Sequence, residues 1–299
     1  MPNPRRTRQD GRPSAAADGQ PVGSPTGAPA NPAAALTGVY LRPLRDDVLP
    51  ARHSAGARRR AAQIQAFLRP LHEAARAALG AEADVTLLVV DSRDWYKLAR
   101  YPYGLPFART AVGGRQANVI VAADHQPRLL QRFDGAMLAA ARAGVSAPAQ
   151  LGEFVDLMVG HEWGHAVANL SGLRTRLKWL DELNATYLFV QALRATGQRD
   201  ALLRLTEWSR WQVAGTSAEA GDLAAFEYPR NRAGWERLLW YQGVFAERAL
   251  DLSERRGWGY LTELRSALPP ADRGELARKL VELEPSFRPW FAVFGRKVG

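Results

Sequence analysis

The chain has 299 residues, 46% hydrophobic and 23% charged, a balance that supports a sizeable buried core. It contains no cysteine, which excludes disulfides, iron–sulfur clusters, a thiol nucleophile and any cysteine-ligated metal. The net charge of +10 is unevenly spread: residues 1–60 hold ten Arg against four Asp, while the rest holds 30 basic and 26 acidic residues. The body is therefore close to neutral, and nucleic acid is not an expected partner.

Residues 1–37 are rich in Pro, Ala, Gly and Ser and carry almost no large apolar side chain. Such a segment cannot offset its ordering entropy, so a disordered basic tail is expected there, ahead of a folded body over 38–299. No apolar stretch follows Arg5-Arg6 to make a secretory signal, which points to a cytoplasmic location. No apolar run reaches the length of about 18 residues that a membrane-spanning helix needs. Nothing in the chain specifies an oligomeric state.

Ile64, Phe67, Leu68, Leu71 and Ala75 recur at helical spacing and predict a helix over 57–79 that stops at Gly80. Val85–Val90 reads as a buried strand and 94–105 as a loop. Two β-like runs, 107–112 and 117–122, flank Gly113-Gly114 as a hairpin. From Pro127 onward the pattern is helical, with helices expected over 127–143, 150–170, 178–196, 199–213, 232–255, 257–267, 271–283 and 286–295; Ser146 and Pro148 mark the start of the second. The fold class is α+β. A small mixed sheet and an active-site helix occupy 38–170, and a mostly helical subdomain fills 171–299.

The chemistry lies in His161-Glu162-Trp163-Gly164-His165, an H-E-x-x-H motif inside a helical pattern. His161 and His165 are one turn apart on one face, where both ring nitrogens can reach one ion. Glu162 lies about 100° round the helix, beside the ion's open position rather than among its ligands. The neighbours Val159, Gly160, Trp163, Gly164, Ala166 and Val167 are uncharged, so the polar trio would be costly without a metal to satisfy it. A catalytic zinc site takes three protein ligands. No histidine follows His165, and the next helix opens with Asp181 and Glu182 after a short linker. Glu182 is the preferred third ligand, because Ala185 on the same face lets the helices approach. Asp181 is the rival, suited otherwise to a supporting or capping role.

His161-Glu-x-x-His165 followed by Glu182-x-x-Ala185 resembles the gluzincin metallopeptidases, the thermolysin-like group with a zincin-like fold. The segment Tyr103-Gly-Leu-Pro106 and the strand Asn118–Val121 add to the resemblance, which covers about residues 100–190. It implies one catalytic Zn2+ held by His161, His165 and Glu182, with Glu162 as general base and a peptide or protein substrate. Two positions depart from the pattern. Thr186 stands where many relatives place an aspartate that orients a zinc-bound histidine, and no downstream histidine is present to face the developing oxyanion. Tyr241 is then the expected oxyanion donor, with Tyr228 as the other candidate. The strand around Val119 is expected to pair with extended substrate. His53, His72 and His125 carry no expected function, His125 being nearest the cleft. The same motif would also serve a non-catalytic binding protein on a zincin scaffold, or a protease that acts on a cytoplasmic repressor.

Overall fold

Two parallel strands, each a continuous apolar run, form the centre of the sheet in the computed structural model. They are β3 (Asp84–Val90) and β5 (Gln116–Ala122), and side chains on both of their faces are buried, as expected of strands covered on two sides. The structure describes residues 39–80, 83–99, 101–110, 115–145, 151–175, 177–215, 222–227, 235–269 and 272–294. The expected tail, the Gly113-Gly114 turn, the Ser146–Pro148 start signal and Tyr228 lie outside them.

The five-stranded sheet is completed by β1 (Arg42–Leu44), β2 (Ala51–His53) and β4 (Phe107–Thr110). The order is β1-β2-β3-β5-β4, with antiparallel pairs at both ends and parallel pairs between them. β1 and β2 have only three residues each and carry no periodicity that a sequence reading could detect. β5 is paired on both sides, so it has no free edge to offer a substrate; that expectation moves to β4, the outer strand.

Alternation along the strands divides the core. Leu87, Val89, Val119 and Val121 face the main helical layer, and Leu88, Val90, Ile120 and Ala122 face Trp95, Leu98 and Phe107. The first layer contains α1 (Arg58–Leu79), which ends on Gly80 in the left-handed conformation, as the sequence signals. The second face is closed by α2 (Ser92–Leu98), in place of the expected loop. Asp91 caps it by accepting from Asp94 N at 2.9 Å, and Trp95 and Leu98 are buried one turn apart.

The stretch expected to form one helix over 127–143 is broken into α3 (Pro127–Gln131) and α4 (Asp134–Arg142). Arg132 and Phe133 donate instead to the carbonyls three residues back, and this tighter turn delivers Phe133 into a cluster with Phe154, Trp208 and Trp211. Then come α5 (Leu151–Leu170), α6 (Lys178–Ala195), α7 (Arg199–Ala214), a short α8 (Leu223–Glu227) and α9 (Trp235–Arg256). α10 (Gly259–Ala267), α11 (Arg273–Leu283) and α12 (Phe287–Phe294) end the described chain. α6 is buried on every side from Glu182 to Leu193, so it lacks the polar stripe of a surface helix. Among the described residues no helix is long and apolar enough to cross a membrane.

Candidate metal centre

α5 and α6 pack closely and run in opposite directions, since Gly164 meets Ala185 and Gly160 meets Phe189. This pairing brings Glu182 to the two motif histidines. His161 Nε2 lies 3.1 Å from Glu182 Oε2, His165 Nε2 lies 3.4 Å from the same oxygen, and the two Nε2 atoms are 3.1 Å apart. Ligand atoms about 2.0–2.1 Å from a tetrahedral ion are about 3.3–3.4 Å from one another. The triangle therefore has the size of one face of a zinc coordination shell. The donor set also fits: two imidazole nitrogens and a carboxylate oxygen, largely withdrawn from solvent, with side-chain exposures of 12, 19 and 11%.

The orientation of His161 follows from hydrogen-bond bookkeeping. The Thr186 hydroxyl donates to the Glu182 carbonyl at 3.0 Å, so its oxygen accepts from His161 Nδ1–H, also at 3.0 Å. Nε2 is left with the lone pair that a metal ligand needs. The departure at Thr186 thus still supplies a partner for Nδ1. Glu182 is steadied from a third helix, where Gln242 Nε2 of α9 donates to its Oε2 at 2.8 Å.

Asp181 does not enter the triangle. Its Oδ1 accepts from Thr175 N at 2.7 Å and lies 2.9 Å from the Thr175 hydroxyl, closing the turn ahead of α6. Glu162 stands half-buried beside the histidines, and Oε2 accepts from Ala108 N of β4 at 2.8 Å. Because Ala108 N points at Glu162, β4 turns this backbone group away from β5.

Burial opposes every charge here. It raises the Glu162 pKa above the usual carboxylate value, although both histidines and the Ala108 N–H pull it down. Burial also works against charge on His165, yet Glu182, with Glu162 and Asp181 beyond it, pushes its pKa up to about 9. Glu182 is penalised by burial but held well below the ordinary value by His165 and His161. Asp181 is pushed up to about 6 by burial, against the Thr175 hydrogen bonds. Without an ion, burial is thus offset by the attraction between a protonated His165 and an ionised Glu182.

Tyr241 is not brought to this cluster. It is 2% exposed, and its hydroxyl donates to Asp222 O at 2.7 Å, beside Phe226 of α8. The oxyanion-donor assignment is corrected accordingly: Gln242, the next residue round the helix, is the one that faces the site. The sequence signal for it is a lone polar side chain in the aromatic run Trp240-Tyr-Gln-Gly. The other histidines are elsewhere. His72 is buried, its pKa lowered to about 4 by that burial, and accepts from Trp163 Nε1 at 3.2 Å, bracing the motif helix from behind. His125 pairs with Asp156 at 3.0 Å, and His53 bonds the Ser54 carbonyl.

No family model, curated protein or solved structure matches this chain.

Proposed function

We propose that the chain is a zinc-dependent metallopeptidase with a zincin-like fold of gluzincin type. The observation that carries this reading is the triangle of His161 Nε2, His165 Nε2 and Glu182 Oε2, with sides of 3.1–3.4 Å, beside a carboxylate that is not part of it. His161, His165 and Glu182 would hold the ion. When bound there, zinc supplies an acidified water and a Lewis acid for a carbonyl oxygen.

The rest of the chemistry belongs to the chain. Glu162 takes a proton from the attacking water as its oxygen bonds to the peptide carbonyl carbon. As the C–N bond breaks, Glu162 returns the proton to the leaving amine nitrogen. The extended substrate would pair along the outer edge of β4, adding a strand to the sheet and taking the Ala108 N–H over from Glu162.

The test is metal analysis of the purified protein together with digestion of a broad peptide library, run in parallel on Glu162→Gln. Bound zinc with cleavage that depends on Glu162 supports the enzyme. Bound zinc with no cleavage of any peptide favours the non-catalytic scaffold.

A further inference from the structure

Two uncharged side chains touch the ligand triangle from outside it. Thr186, one turn along α6 from Glu182, receives the His161 Nδ1–H, and its own proton is spent on the Glu182 carbonyl. Gln242 reaches in from α9 and donates to Glu182 Oε2, the oxygen that faces both histidines. Only the nitrogen end of an amide can donate to a carboxylate, so the Gln242 side chain is fixed in one orientation. α9 is seated tightly enough to hold it there: a Cβ on Gly243 would come within 2.9 Å of Ser209 O and 2.8 Å of Gln212 Cβ in α7.

Resting on the metal-site reading above, we infer that Gln242 and Thr186 are positioning residues that preset the metal site without adding negative charge to it. Each fixes one ligand: Thr186 sets the tautomer and ring plane of His161, and Gln242 sets the carboxylate plane of Glu182. A carboxylate in place of Thr186 would orient His161 too, but would feed charge to the site and tighten the grip on a cation, and one in place of Gln242 would have no proton to give and would repel Glu182. A hydroxyl and an amide orient by geometry alone. Gln242 also ties the last long helix to the metal, so ion binding reinforces the docking of α9.

The experiment measures zinc affinity by competition with a chromophoric chelator, and the visible absorption of the cobalt-substituted protein, whose bands report ligand geometry. Gln242→Leu and Thr186→Val should each weaken zinc binding by about 10–100-fold and shift the cobalt bands. Thr186→Ser, which keeps the hydroxyl, should restore both readouts. Unchanged affinity and spectrum in Gln242→Leu and Thr186→Val, with wild type binding zinc, would overturn the inference and leave the metal site standing. Thr186→Ser behaving like Thr186→Val would overturn the role of the hydroxyl. If Thr186→Val does not fold, Gln242→Leu and Thr186→Ser decide. A wild-type protein that binds no zinc removes the metallopeptidase reading as well.

Discussion

Gly164 of the motif helix lies against the backbone of Ala185, so close that a Cβ on it would collide with the Ala185 carbonyl oxygen. Backbone cannot rotate away as a side chain can, and the two helices would have to separate. Gly164→Ala should therefore destabilise the fold by about 1–3 kcal/mol, as overpacking does. It should weaken zinc binding too, because the same separation moves Glu182 from the histidines. Chemical denaturation and a chelator titration check both. An alanine variant with wild-type stability would mean that the helices are not packed through this contact.

The ligand assignment predicts one zinc per chain. Glu182→Ala should weaken its retention by about 10-fold or more, since an incomplete site remains. Asp181→Ala should keep the metal, because Asp181 is occupied by Thr175. Its cost should appear in stability, with a buried amide left unpaired for about 1–3 kcal/mol. The reverse pattern in metal analysis would make Asp181 the ligand.

This part of the site is readable from sequence because its geometry is local. Four residues set the histidines on one face, and a short linker forces α6 back along α5, so the candidates for the third ligand narrow to two adjacent carboxylates. Choosing between Tyr241 and Gln242 is different. They are neighbours about 100° apart on a helix, and which of them faces Glu182 depends on how α9 lies on α6, some 60 positions away in the chain. The same limit applies to the sheet. The apolar runs of β3 and β5 announce strands, but which strand forms the edge depends on pairings that leave no trace in either run. α2 escapes a sequence reading for a nearer reason: its Asp91 cap and Trp95–Leu98 pair are followed closely by Tyr101-Pro-Tyr-Gly, whose turn signals make the whole stretch read as loop.

Glu162→Gln keeps the shape of the side chain and its ability to accept from Ala108 N, so zinc content and fold should survive. The amide cannot take up the water's proton, and turnover should drop by about 10²–10⁴-fold. Metal analysis and peptide cleavage on the same preparation check this. Equal turnover in the two proteins would end the general-base assignment.

Tyr241→Phe should leave cleavage rates unchanged. Its hydroxyl serves the Asp222 carbonyl, so the loss should be about 0.5–1.5 kcal/mol of stability. A rate loss of about 10²-fold or more, the size seen for a lost oxyanion donor, would return this tyrosine to the active site.

Zinc binding should depend steeply on pH. In the metal-free fold His165 holds its proton up to about pH 9, and only the neutral ring is a ligand. The proton must leave when the ion enters, so apparent affinity should rise about tenfold per pH unit through neutrality and level off near pH 9. The metal-free protein shows the opposite sense for the same group. Because the folded pKa lies above the ordinary histidine value, the stability from protonated His165 is complete below about pH 6.5 and is lost as pH rises through about 9. Calorimetry in buffers of different ionisation enthalpy would count the proton. Zinc binding with no proton release at pH 7 would contradict this assignment.

β4 spans only four residues, Phe107–Thr110, which is about 14 Å of extended chain. A peptide laid against it would share backbone hydrogen bonds over about four of its own residues and no more. Grip of this kind is sequence-blind and brief, so selectivity for one substrate would have to come from side-chain pockets past the ends of the strand, or from how readily a protein can offer an unstructured stretch of that length.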